Sequence, residues 1–171
     1  EQHELMAFTK VVADVERDHG VIVIDTPGSD TSSMRLAHSM ADTLVTPLND
    51  SFVDFDVLGT LDQTNFSVIG ESHYAEMVRE SRRQRRLVDG RLTDWIVVRN
   101  RLSTLGSRNK KLVGDGLVEL SKRMGFRTVE GIAERVVYRE FFPRGLTAFA
   151  DLDEAPPGMR PSLSHLSARE E

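Results

Sequence analysis

Leu5, Phe8, Val12 and Val15 recur at spacings of three and four. This is the apolar stripe of an amphipathic helix, and it predicts a helix over residues 3–19 closed by Gly20. The pattern then changes. Val21-Ile22-Val23-Ile24 is an unbroken β-branched run, which suits a strand covered on both faces of a parallel sheet. Asp25-Thr26-Pro27-Gly28 follows as a loop, and Ser29-Asp30-Thr31 offers capping oxygens to a helix running to Met40. Short runs at 44–47, 95–98 and 126–129 predict three more strands. Between them the spacing predicts helices over 72–88, over 107–124 with Ser107 as cap and Gly125 as stop, and over 134–142.

Strands alternating with helices predict an α/β fold, a mainly parallel twisted sheet flanked by helices. From about residue 153 the pattern is lost: Ala155-Pro156-Pro157-Gly158 and Pro161 break regular structure. The expected organisation is one domain over residues 1–152, with 153–171 as a tail or a linker into a truncated helix. The sequence opens on Glu1 in mid-helix pattern, so further strands are expected upstream, and the sheet is expected to lack its N-terminal strands.

Composition narrows the chemistry. With 171 residues the chain can bury one sizeable core. It has no cysteine, which excludes a disulfide scaffold, a thiolate zinc site and a cysteine nucleophile, and which suits a reducing cytoplasm. No apolar run approaches the roughly 20 residues that cross a bilayer, so no membrane partner is expected. The net charge is −5, yet between Arg79 and Arg123 there are 13 Lys/Arg against 5 Asp/Glu. Such a segment is either a solvated helix face or a contact for a polyanion.

The most specific local signal is the apolar run that ends in Asp25-Thr26-Pro27-Gly28. Ligands of α/β sheets sit outside the carboxyl ends of the strands. A carboxylate delivered there by a strand can hold Mg²⁺ through a water, and a following glycine can bring a bare backbone N–H close to a phosphate oxygen. The same four residues also make a good turn and nothing more. The partner of such a site, Gly-x-x-x-x-Gly-Lys-Ser/Thr, does not occur, and Gly-Lys is absent from the chain. Asp50, Asp54 and Asp56 are candidate helix caps, with Asp54 favoured, and Trp95 reads as core. His38 and His73 have no visible metal-ligand partners in the pattern.

Several segments in unbroken order carry a resemblance. Asp25-Thr26-Pro27-Gly28 resembles the switch motif of the ParA/MinD ATPases, which are deviant-Walker P-loop NTPases. Thr46-Pro47-Leu48-Asn49-Asp50-Ser51-Phe52-Val53-Asp54-Phe55-Asp56 is similar to a narrower signature, that of the MipZ family. Asp94-Trp95-Ile96-Val97-Val98-Arg99-Asn100-Arg101-Leu102, Lys122-Arg123-Met124-Gly125-Phe126-Arg127 and Glu134-Arg135-Val136-Val137-Tyr138-Arg139-Glu140-Phe141-Phe142-Pro143 also match that family. The likeness runs from about residue 21 to 152 and is loosest over 62–76 and after 152.

The resemblance implies an ATP hydrolase that uses ATP and Mg²⁺ and carries its phosphate-gripping loop upstream of Glu1, so that the 171 residues alone are expected to be inactive. Asp25 would meet Mg²⁺ through water, and Gly28 would sense the γ-phosphate. Asn100, with Arg101 beside it, would read the adenine edge, and Pro143 would border the base. Thr26, Pro27, Pro47, Asn49 and Asp50 would lie near the phosphates and the dimer face. It further implies a homodimer when ATP is bound, non-specific DNA binding, contact with the centromere-binding protein ParB, and inhibition of the tubulin-like protein FtsZ. The expected place is the cytoplasm, on the nucleoid and towards the cell poles.

The basic segment supplies candidates for the DNA contact. Arg79, Arg82, Arg83 and Arg86 are spaced to share one helix face, and Arg108, Lys110 and Lys111 open the next helix, where cations oppose the helix dipole. Two other readings stay open on sequence: a ParA-type partition ATPase, and a loop-less module that docks on DNA or on a partner.

Overall fold

The computed structural model describes residues 2–62, 67–103, 108–150 and 163–170. Helix α1 (Gln2–Glu16) and helix α2 (Ser32–Met40) lead into strand β1 (Thr43–Asn49). A short helix α3 (Phe52–Phe55) precedes strands β2 (Gly59–Leu61) and β3 (Val68–Glu71). Helix α4 (His73–Asp89), strand β4 (Asp94–Asn100), helix α5 (Arg108–Met124) and strand β5 (Arg127–Val129) follow. Helix α6 (Val136–Phe141), a 3₁₀ turn (Phe142–Arg144) and helix α7 (Leu163–Glu170) complete the described chain. No helix among the described residues is long and apolar enough to cross a membrane.

The main sheet has the order β1-β4-β5 and is parallel throughout. Thr43 faces Asp94 at one end of the first pair and Asn49 faces Asn100 at the other. The helices start where hydroxyl caps allow. Thr31, Ser51 and Ser72 each accept a bond from a backbone N–H of the first turn. Gly90 and Gly125, at φ 74° and 69°, take the left-handed conformation that ends α4 and α5.

Alternation along β1 buries Thr46 and Leu48 and leaves Val45 and Pro47 exposed. The buried face meets Trp95 and Val97 of β4, Val78 of α4 and Leu117 and Leu120 of α5 in one core cluster. Trp95 stacks at a tilt on Phe126, with ring centroids 5.0 Å apart. Its indole N–H donates to Thr46 Oγ1 at 3.0 Å, and Thr46 in turn bonds Tyr74 Oη at 2.9 Å. Burying a ring of this size contributes on the order of 2 kcal/mol, and the hydroxyl pair removes the cost of its polar nitrogen. The buried ring of His38 meets Tyr74 edge-on at 6.1 Å.

Two local readings change, and the structure adds a strand pair and the packing of the last helix. Residues 21–24 lie in no helix or strand and pair with no described strand, and Val21 and Val23 are 81% and 90% exposed. A strand needs a ladder partner for its backbone groups, and apolar content alone does not provide one. Within 59–71 lies an antiparallel pair, β2 with β3, where the sequence shows no clear alternation. Asp54 is not the cap of α3: Ser51 is, and the Asp54 carboxylate accepts the Asn49 N–H at 3.0 Å. Helix α7 packs on α6, and its Ala168 is buried in a second small cluster with Val137 and Ala148. The expected cap Ser107 and the Pro-rich stretch 155–161 lie outside the described residues.

Candidate functional site

The carboxyl ends of β1 and β4 bring Asn49 and Asn100 side by side. Just beyond β1, Asp50 forms an ion pair with Arg99, and the two side chains are only 9% and 18% exposed. Arg99 also donates to the Lys110 carbonyl at 2.9 Å, which fastens the first turn of α5 to the same corner. Asp50 is therefore engaged inside the protein, and Pro47 and Asn49 are exposed beside it. Arg99 escaped the sequence reading. Its signal was a charge that closes the apolar run of β4, where burial without a partner is costly.

Past Asn100 the chain opens a cleft of about 660 Å³, lined by Asn100, Arg101, Glu134, Tyr138, Phe149 and Ala168 among others. Its floor is a backbone extension of the sheet. The Ile132 N–H donates to the Arg99 carbonyl at 2.8 Å, and Leu102 and Glu134 exchange bonds with this segment at 2.9 Å each. Gly131 makes the approach possible: a Cβ there would lie 2.4 Å from Leu102 Cδ1 and 2.7 Å from the Arg99 carbonyl oxygen. Glu134 accepts from Arg101 at 3.0 Å and from Arg139. The Arg101 guanidinium, then Arg139, holds the Glu134 carboxyl below its usual range. Asn100 Oδ1 accepts the Arg101 N–H at 3.0 Å. The cleft thus joins apolar walls to a few fixed polar groups, as small-molecule sites do.

Pro143 sits exposed in the turn after α6 and is not among the residues that line the cleft, to which Arg139 before it and Ala148 after it contribute. Glu134, Tyr138, Phe149 and Ala168 were not singled out in the sequence. Ala168 had no signal at all, because only packing brings α7 to this wall.

The Asp25–Gly28 loop is open. Asp25, Pro27 and Gly28 are exposed and Thr26 is half-buried. A Cβ at Gly28 would meet nothing within 4 Å. The loop is anchored just downstream, where Asp30 accepts from Arg35 at 2.6 and 2.5 Å and pairs with His73 Nε2 of α4 at 2.8 Å. Arg35 first, and His73 second, lower the Asp30 pKa to about 2. Among the described residues no three His, Cys, Asp or Glu side chains converge on a metal position. A single exposed carboxylate, Asp25, nonetheless fits a Mg²⁺ that keeps most of its waters.

The basic helices divide by role. Arg82 turns inward, donating to the Thr93 and Met124 carbonyls at 3.2 and 3.1 Å with its guanidinium 6.0 Å from the Trp95 ring centre. Arg85 is buried against Asp42 at 2.5 Å and also meets Asp89. Arg79 and Arg83 face outward but pair with Glu71 at 2.7 Å and Glu80 at 2.9 Å. Arg86, Arg108 and Lys111 are exposed, and Lys110 donates to the Ser103 carbonyl at 3.0 Å.

No curated protein sequence matches the chain. The sequence model of one family, described as ATPase MipZ, matches residues 1–171, its whole length. The parallel sheet, the polar groups at its carboxyl edge and this match agree, and the chain belongs to the MipZ family of ATPases.

Proposed function

We propose that this chain carries the switch side and the base side of an ATP site. In this reading the site drives a dimerisation switch that positions the division plane. The observation that carries the proposal is the cleft at the carboxyl edge of the parallel sheet, where Asn100 meets apolar walls from α6 and α7. Asn100 would read the base edge while Tyr138 and Phe149 exclude water from its faces. Asp25 would hold the water shell of a Mg²⁺ from the open loop, and Gly28, with free space around its Cα, would let a phosphate oxygen approach its N–H. Bound Mg²⁺ supplies neutralisation of the charge that develops on the transferring phosphoryl group. The sequence contains no Gly-Lys, so the phosphate-gripping loop would come from residues other than these.

Two ATP-bound subunits would form the dimer, with Pro47, Asn49 and the Asp25–Gly28 loop near the shared face. The outward cations, Arg79, Arg83 and Arg86 on α4 and Arg108, Lys110 and Lys111 on α5, would contact DNA phosphates without reading sequence. Arg82 would support that surface from within. ParB and FtsZ would be the protein partners, and the switch would work in the cytoplasm, on the nucleoid and towards the poles. The test is ATP-dependent dimerisation of the intact protein, read by light scattering. A doubled mass with ATP and Mg²⁺ that reverts on hydrolysis is expected. A mass indifferent to nucleotide overturns the reading.

A further inference from the structure

Arg101 has φ 53°, the left-handed region that a residue with a Cβ occupies only where its surroundings hold it. Those surroundings converge on one residue. Arg101 donates to Glu134 Oε1 at 3.0 Å, and the Glu134 N–H donates to the Leu102 carbonyl at 2.9 Å. Glu134 therefore grips the turn twice, once through its side chain and once through its backbone. Arg139 of α6 donates to the same carboxylate oxygen, so the turn is also tied to the helix on the neighbouring wall. Inside the turn, the Arg101 N–H takes up Asn100 Oδ1.

We propose that Glu134 is a positioning residue for base recognition: by holding Arg101 in its left-handed turn, it fixes the rotation of the Asn100 carboxamide in the cleft. The proposal rests on the base-site reading of the cleft given above. With Oδ1 engaged by the turn, Asn100 meets a ligand chiefly with its two Nδ2 hydrogens, so the ligand class it selects is a heterocyclic base with a ring-nitrogen acceptor. The carboxylate need not touch that base. It acts through Arg101.

The experiment measures KM and kcat for ATP in the intact protein, alongside Tm. The set is wild type, Glu134→Gln, Arg101→Gly and the double variant. Glu134→Gln keeps the shape and removes the charge; KM is expected to rise about tenfold with kcat little changed. Arg101→Gly removes the group through which Glu134 acts, so adding Glu134→Gln to it should raise KM no further than Arg101→Gly alone does. Fully additive effects overturn the proposal, as does a Glu134→Gln protein whose Tm falls while KM stays put. A wild type that binds no ATP removes the base-site reading itself, and this proposal with it.

Discussion

Arg99 and Asp50 close an ion pair across the carboxyl ends of β4 and β1, with both side chains largely withdrawn from water. Breaking such a pair leaves an uncompensated buried charge and typically costs about 3–5 kcal/mol, while removing both partners costs far less. Asp50→Asn and Arg99→Met should each lower the denaturation midpoint strongly, and the double variant should recover part of the loss. Equal and additive losses in a double-mutant cycle would show that the two charges are independent.

Burial lowers the pKa of His38 from its ordinary value of 6.5. The unfolded chain then takes up a proton near pH 6.5 and the folded one does not, so the unfolded state gains as pH falls. Stability should be flat above about pH 7.5 and decline as pH drops through about 6.5. His38→Leu should remove that component of the decline. Denaturant midpoints from pH 8 to 5.5 decide the matter.

Asp30 acts in the same direction in a lower pH window. Its folded pKa of about 2 lies below the ordinary 3.8. Its hydrogen bonds with Arg35 and His73 therefore add stability above pH 3.8, and that addition is lost as pH falls from there towards 2. Asp30→Asn should leave the midpoint at pH 7 slightly lower and weaken its fall at acid pH. A variant with the acid limb of the wild type would contradict the anchoring of the loop.

Gly131→Ala places a methyl group against Leu102 Cδ1 and the Arg99 carbonyl. Overpacking of this kind costs about 1–3 kcal/mol. Because the same segment floors the cleft, ATP binding should weaken with the loss of Tm. Gly28→Ala, which meets nothing, should leave Tm unchanged and reduce turnover alone. Asp25→Ala should likewise keep Tm and abolish turnover in the intact protein.

Alanine at Arg86, Arg108 and Lys111 should weaken DNA retention on every sequence and flatten its salt slope by nearly one for each phosphate contact removed. Arg82→Ala should behave differently, lowering Tm first, because Arg82 braces the Thr93 and Met124 carbonyls. Sequence-selective loss in the first set would exclude a phosphate-only contact.

Much of the fold could be read from local pattern. Thr31 caps α2, Gly90 and Gly125 end their helices, and the apolar runs of β1 and β4 became paired parallel strands. What failed was whatever depends on a distant partner. Residues 21–24 have the composition of a strand and no described neighbour to pair with. Arg82 belongs to a basic face by spacing, yet its bonds reach Met124, 42 positions along the chain. The site divides the same way. Asn100 became a candidate only through the resemblance, whereas Glu134 and Ala168 join its cleft only through packing of the later helices.

Among the described residues β1 is hydrogen-bonded on one side alone, and the exposed Val45 lies along it. An open ladder is a vacancy with an affinity. A segment that docked there would lend its binding free energy to the fold. The melting temperature would then not be a constant of the chain; it would climb with the concentration of the strand that docks there. When none is supplied, a second copy is the nearest substitute, and self-association is the expected cost.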